Sequence, residues 1–217
     1  MEAKAAAPGY GWGALLRHVP LSVTRMRRVT REMQAAGIDE RWRLVAIASS
    51  AFVMAAEQAA IEAYQPDPLF DGWRAAYGEA ATLTGAFLGF LVLGTVIVYA
   101  LAAVLHLTFR IARRGTTFAD MRIAMAASGY PQIVLSLINL AIIGIAALAG
   151  EGWRAPALSA IEASLVVAMA LAVGYGVVAV SAATGVSTLQ VLGLQFIAGL
   201  GAVAAVAAGA WAVALVI

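Results

Sequence analysis

Five apolar stretches, each long enough to cross a lipid bilayer as a helix, dominate this sequence. A hydrocarbon core of about 30 Å is spanned by about 20 helical residues. The stretches cover residues 44–64, 81–108, 123–149, 157–183 and 191–217. Only 12% of the residues are charged, against about 25% in soluble domains, so the chain lacks an ordinary aqueous surface. The sequence therefore predicts an all-α polytopic membrane protein with five transmembrane helices.

The basic residues divide the chain and give it an orientation. Residues 1–43 form a basic segment ahead of a membrane domain that covers residues 44–217. Twelve of the fourteen Lys and Arg residues lie before the first span or between the second and third spans. Because Lys and Arg accumulate in cytoplasmic loops, we expect the N-terminus in the cytoplasm and the C-terminus outside.

The basic segment has the periodicity of an amphipathic helix. Apolar side chains recur at spacings of three and four at Met26, Val29 and Met33. Arginines occupy other faces, at Arg25, Arg28 and Arg31. Such a helix either packs on its own bundle or lies in the membrane interface, where its arginines attract anionic lipid. We favour the interface, because Trp12 and Trp42 bracket the stretch and indoles prefer the headgroup region.

A short motif connects the second and third spans. It reads Gly-Thr-Thr-Phe-Ala-Asp-Met-Arg over residues 115–122 and continues as Ser-Gly-Tyr-Pro over residues 128–131. As a local signal it predicts a turn with a hydroxyl N-cap, followed by a negative charge at Asp120 in the first helical turn. Pro131 removes one helical hydrogen bond, so we expect a bend there, used for packing or as a hinge.

The same motif resembles the Yip family of multispanning membrane proteins, named for interaction with Ypt/Rab GTPases. The residues that carry the resemblance are Gly115, Thr116, Phe118, Tyr130 and Pro131. Here Pro131 directly follows Tyr130, whereas the family pattern has a small gap between them. The resemblance implies a non-enzymatic protein of membrane organisation or trafficking, and a bacterial-type member would lie in the inner membrane. It implies partners among other membrane proteins, or self-association.

Three glutamates fall inside predicted spans, namely Glu57, Glu62 and Glu162. Intramembrane carboxylates are costly and are functional candidates. No Lys or Arg lies within a span to pair with them, so they reach water, share a proton or hold a cation. We expect Glu57 and Glu162 to share a proton if their helices are neighbours. A small proton or cation transporter is therefore the alternative to the scaffold, although neutral carboxyl groups could also simply bond across helices.

Other functions have little support in the sequence. With no Cys and two His, the chain offers no disulfide, iron–sulfur or Cys/His zinc site, and we expect no cofactor. The net charge of +2 does not indicate nucleic acid. His106 and Ser128 both fall near the cytoplasmic boundary, but the sequence around Ser128 lacks the first glycine of a rhomboid-type motif, so we expect no catalytic residues.

Small residues mark faces where helices can approach closely. They form a GxxxG pair in the second span, at Gly85 and Gly89, and a longer stripe in the fifth, at Gly201, Ala205 and Gly209. We expect these faces to pack within the bundle.

Overall fold

A computed structural model describes residues 10–199, and these residues form helices and no strands. The helices are α1 (Trp12–Ala35), α2 (Glu40–Tyr64), α3 (Asp71–Tyr77), α4 (Glu79–Ile111), α5 (Phe118–Ala149), α6 (Arg154–Thr184) and α7 (Thr188–Gly199). Short 3-10 turns precede α3 and α6, at Pro68–Phe70 and Glu151–Trp153.

Four helices, α2, α4, α5 and α6, are long and apolar enough to cross a membrane. This confirms that the chain is an all-helical, membrane-embedded protein. Each helix begins and ends within two turns of the span predicted for it. The predicted fifth span, residues 191–217, begins inside α7, and the rest of it lies outside the described residues, as do Gly201, Ala205 and Gly209.

Helix α5 is the centre of the bundle. It packs against α2 on one side and α6 on the other, and α4 packs mainly against α2 with a smaller contact to α5. Helix α1 crosses α5 and α6 at the end of the bundle where α5 begins; this end is called the α1 end below. The core there contains large, fully buried side chains from three helices: Met33, Phe109, Met121 and Tyr130.

Helix α1 buries one side against the bundle and exposes the other. Its buried apolar residues are Leu15, Met26, Val29 and Met33, whereas Arg25, Arg28 and Arg31 are exposed. The helix is kinked at Arg25, where φ is −133° and ψ is 40°. The sequence pattern indicated a helix only from residue 21 onward, so the first turns were not anticipated. The chain leaves α1 through Gly37, whose φ of +58° suits glycine.

Side chains cap the beginnings of α2 and α5, and the cap of α5 was predicted. The Asp39 carboxylate accepts a hydrogen bond from the Trp42 amide at the beginning of α2. At the beginning of α5, Thr117 and Asp120 form a reciprocal capping box, which satisfies two amide donors that a helix otherwise leaves free. Helix α5 then continues past Pro131 to Ala149 as one element.

The close helix contact lies at a glycine that the sequence analysis did not single out for packing. A Cβ atom added to Gly129 on α5 would lie 2.7 Å from Ser50 Oγ on α2. In contrast, a Cβ at Gly89 would meet no atom within 4 Å, and one at Gly85 would meet only Trp73, at 3.9 Å. Neither glycine of the GxxxG pair on α4 therefore lies at a close helix–helix contact, whereas Gly129 lies at the close contact between α2 and α5.

Candidate functional site

Glu57 is buried in a polar network between α2 and α5. Its side chain is 4% exposed. One carboxylate oxygen accepts a hydrogen bond from the Ser136 hydroxyl and the other accepts one from the Asn139 amide. The Asn139 carbonyl oxygen in turn accepts a hydrogen bond of 2.8 Å from Ser164 on α6. One carboxylate therefore connects three of the membrane-crossing helices.

The predicted pair of Glu57 and Glu162 is not formed. Helix α5 lies between α2 and α6, so the two glutamates are on helices that are not packed neighbours. Glu162 is exposed on α6, two residues from Ser164 but on a different face. Glu57 obtains its hydrogen bonds from α5 instead.

Glu62 has a basic partner, contrary to the expectation that the carboxylates lack one. Arg74 on α3 binds both Glu62 and Asp71 through its terminal nitrogens. The hydrogen bond that Arg74 donates to Glu62 is the main cause that raises the pKa of Arg74 above its ordinary value. The sequence analysis treated Arg74 only as a loop charge, and the fold of the α2–α4 connection brings it back over the end of α2.

A cavity of about 490 Å³ opens beside this ion pair. Its polar lining includes Gln58, Glu62 and Asp67, and its apolar lining includes Phe70 and Phe90. The three glutamates of the sequence prediction therefore lie in three settings: an interhelical network, an ion pair beside a cavity, and an exposed helix face. Within residues 10–199, no three His, Asp or Glu side chains converge in a way that could hold a metal ion.

A second polar chain joins α1 to the core of the bundle. The hydroxyl groups of Tyr10 and Tyr130 are 2.8 Å apart. Tyr10 also lies 3.2 Å from His18 Nδ1, and His18 Nε2 lies 3.0 Å from a Glu32 carboxylate oxygen. Glu32 accepts further hydrogen bonds from Arg17 and Arg28. The chain thus runs from the fully buried Tyr130 to the exposed arginines of α1.

The protonation of His18 determines the direction of every bond in this chain. Burial lowers the pKa of His18, although its hydrogen bond to Glu32 acts in the opposite direction. The hydrogen bond from Arg28, followed by that from His18, lowers the pKa of Glu32. An ionised carboxylate only accepts, so Nε2 donates to Glu32, and Nδ1 of the neutral ring accepts from Tyr10. Tyr130 must then donate to Tyr10.

Further polar contacts fix α1 on the bundle. The Gln34 amide donates to the Asp120 carboxylate at 2.9 Å and to the Ala183 carbonyl at 2.8 Å, which connects the end of α1 to both α5 and α6. The Tyr175 hydroxyl donates to the Val23 carbonyl at 2.8 Å. Trp12 and Trp42, predicted to bracket the segment, pack edge to face with ring centroids 5.5 Å apart.

His106 and Ser128 make separate contacts. The Ser128 hydroxyl donates to the Met125 carbonyl within α5. The His106 ring packs against Phe118, with centroids 5.9 Å apart. Neither side chain is hydrogen-bonded to the other within the described part of the chain.

Of the motif residues, Tyr130 and Pro131 are buried in α5, and Phe118 begins that helix. Gly115 and Thr116 form the preceding turn, but the capping hydroxyl belongs to Thr117. Tyr130 is the one motif residue with a long-range hydrogen bond, to Tyr10. Its partner Tyr10, and His18 next to Tyr10 in the polar chain, were not identified from the sequence, because they precede the stretch with clear helical periodicity.

Comparisons with protein-family models, with curated proteins and with solved structures returned no match. The fold itself defines the class of the protein: a membrane-embedded helical bundle with a basic helix docked across one end. The resemblance to the Yip family stays a prediction from the motif.

Proposed function

We propose that this chain is a non-catalytic, membrane-organising scaffold of Yip type that gathers anionic lipid and partner proteins around α1. The observation that carries the proposal is that α1 is fixed to the bundle while two of its arginines, Arg25 and Arg31, stay exposed. Arg25 and Arg31 are exposed, on a helix whose opposite side is buried. A basic surface held in a fixed position is suited to recruitment rather than to chemistry.

An exposed apolar stripe on α1 supports contact with the membrane interface. Trp12, Leu16 and Val23 are 60%, 68% and 39% exposed. Their spacing of four and seven residues places them on one face, between the buried face and the arginines. An exposed apolar stripe with arginines along one side is the pattern of an interfacial helix. We accordingly propose that α1 lies at the cytoplasmic surface of a bacterial inner membrane.

The same proposal includes five spans, with the N-terminus in the cytoplasm and the C-terminus outside. The support is the clustering of basic residues at the α1 end and the apolar character of residues 191–217. The lipid bilayer, other membrane proteins and a second copy of the chain are the proposed partners.

Replacing Arg25 and Arg31 with Gln tests the function. This pair spares Arg28, which is bonded to Glu32. The matched control replaces two exposed loop arginines, Arg113 and Arg114, with Gln. After extraction in mild detergent we expect the α1 variant to retain less anionic phospholipid, and to be crosslinked to fewer proteins in membranes, than the wild type and the control. Equal losses in both variants would contradict the proposal.

Proton or cation transport is the second candidate, and it has weaker support. It needs carboxylates that act together, yet both oxygens of Glu57 accept hydrogen bonds from α5 and Glu62 is bound to Arg74. Ion-dependent flux in reconstituted vesicles that disappears in Glu57→Gln would favour transport over the scaffold.

A further inference from the structure

Two mostly buried arginines share one carboxylate at the α1 end. Arg43 on α2 lies 3.0 Å from one oxygen of Glu40, and Arg122 on α5 lies 2.5 Å from the other. Both arginine side chains are 17% exposed. Tyr99 on α4 also donates to Glu40, at 3.0 Å. Three helices therefore meet at Glu40, and no residue of α1 takes part.

The charges in this cluster do not balance. Two guanidinium groups face one carboxylate, which leaves one positive charge without a counter-charge in a mostly buried position, and such charges are normally paired. Two other carboxylates at the beginnings of α2 and α5 are engaged elsewhere: Asp39 accepts from the Trp42 amide, and Asp120 accepts from Gln34 and Thr117.

Unused hydrogen-bonding groups accompany the excess charge. Within residues 10–199, four buried polar side-chain atoms have no hydrogen-bond partner: Arg43 Nε, Arg122 Nε, His106 Nδ1 and Thr116 Oγ1. Two belong to the cluster, and His106 packs on Phe118, over whose ring Arg122 lies at 4.4 Å. Buried polar groups without a partner are rare, so the Nε atoms of Arg43 and Arg122, with His106 Nδ1 close by, favour a polar ligand at this cluster.

We propose that Arg43 and Arg122 bind the phosphate of an anionic phospholipid headgroup. Guanidinium groups match phosphate geometry, and each arginine uses only one terminal nitrogen on Glu40. The first turns of α2 and α5 lie at the same end, so their dipoles also favour an anion there. Leu44, which follows Arg43 in α2, is 46% exposed and offers apolar surface for an acyl chain beside the cluster.

This site is distinct from the α1 surface. Its ligands lie on α2 and α5, so the Arg25 and Arg31 variant described above leaves it intact. A negative result in the experiment on one site therefore does not test the proposal about the other site.

Thermal unfolding of the purified full chain in a mild non-ionic detergent tests the site. We expect added phosphatidylglycerol to raise the unfolding midpoint in a saturable way, and phosphatidylcholine not to do so. Arg122→Gln should weaken the phosphatidylglycerol affinity about fivefold, the effect of one arginine near a membrane surface. The control is Arg41→Gln, which replaces an exposed arginine on the same turn as the cluster. The phosphatidylglycerol affinity of this variant should equal that of the wild type.

Glu40→Gln keeps the test decisive if Arg122→Gln does not fold. Removing the competing carboxylate should tighten phosphatidylglycerol binding about fivefold, even though the midpoint without lipid falls. An unchanged affinity in Glu40→Gln, equal losses in Arg122→Gln and Arg41→Gln, or no stabilisation of the wild type would each overturn the proposal. Equal stabilisation by inorganic phosphate alone would overturn the lipid assignment in favour of a free phosphate.

Discussion

Each carboxylate oxygen of the buried Glu57 accepts one hydrogen bond from a neighbouring side chain. Ser136 and Asn139 each donate one hydrogen bond to it. Replacing Glu57 with Ala removes the acceptors and leaves both donors buried without a partner, which costs about 2–4 kcal/mol of folding free energy. Glu57→Gln keeps a side chain of the same shape that can accept from Asn139, so it should cost much less.

Unfolding of the detergent-solubilised variants by denaturant measures this difference. Glu162→Ala is the matched control, because Glu162 is exposed on α6 and its loss should change stability by less than about 0.5 kcal/mol. If Glu57→Ala and Glu162→Ala were equally stable, the network would not be the structural connection described here.

The contact between α2 and α5 depends on the missing side chain of Gly129. Gly129→Ala would place a methyl group 2.7 Å from Ser50 Oγ and 3.0 Å from Ser50 Cβ. Because two helix backbones would have to separate, we expect a loss of about 1–3 kcal/mol. Ser50→Gly removes both clashing atoms and should restore part of that loss in the double variant.

These variants form a double-mutant cycle, and Gly89→Ala is its control, since nothing lies within 4 Å of the methyl group added there. Unfolding free energies of the single and double variants give the coupling between the two positions. Additive effects of Gly129→Ala and Ser50→Gly would show that the helices do not touch there.

Docking of α1 should depend on pH through His18. The groups around the ring are Tyr10, Glu32 and Arg17, with Tyr130 beyond Tyr10 and Arg28 beyond Glu32. Protonated Nδ1 would donate to Tyr10, reverse the tyrosine bond and leave the buried Tyr130 hydrogen without an acceptor. Because burial lowers the pKa of His18, docking is strongest above the ordinary histidine pKa of about 6.5 and weakens as pH falls below it.

Amide hydrogen exchange in residues 26–35 reports this docking. Protection should fall from pH 7 to pH 5 in the wild type, whereas His18→Gln should have weaker protection with little change over that range. His106→Gln is the control, because His106 packs on Phe118 and has no hydrogen bond to α1 among the described residues. A His18→Gln profile that follows the wild type would assign the pH dependence to another group.

For the whole molecule, the path of α2, α4, α5 and α6 places the connections alternately on two sides of a membrane. The chain contains no Cys, so single substitutions can be labelled without a background. We expect a membrane-impermeant thiol reagent to label Arg114→Cys and Ser187→Cys from one side, and Gly72→Cys and Gly152→Cys from the other. Labelling of Arg114→Cys and Gly152→Cys from the same side would contradict this path.

The sequence alone predicted the four described spans well, because span length and hydropathy are local properties of the chain. It also located the cap of α5, where the Thr117 and Asp120 side chains each accept from an amide three residues away. It did not locate the partners of Glu57 or Glu62, since Asn139 and Arg74 reach them only through tertiary structure. The helix before residue 21 was missed because Pro20 and scattered polar residues hide its periodicity.

The attachment of α1 also sets an order of events during synthesis. Gln34 binds the Ala183 carbonyl, 149 residues later in the chain, and Tyr10 binds Tyr130, 120 residues later. A ribosome adds about 5–20 residues per second, so α1 emerges at least several seconds before its binding surface exists. Its arginines and its apolar side chains are exposed together during that interval. Of the described helices, α1 is made first and is therefore among the last to reach its final place.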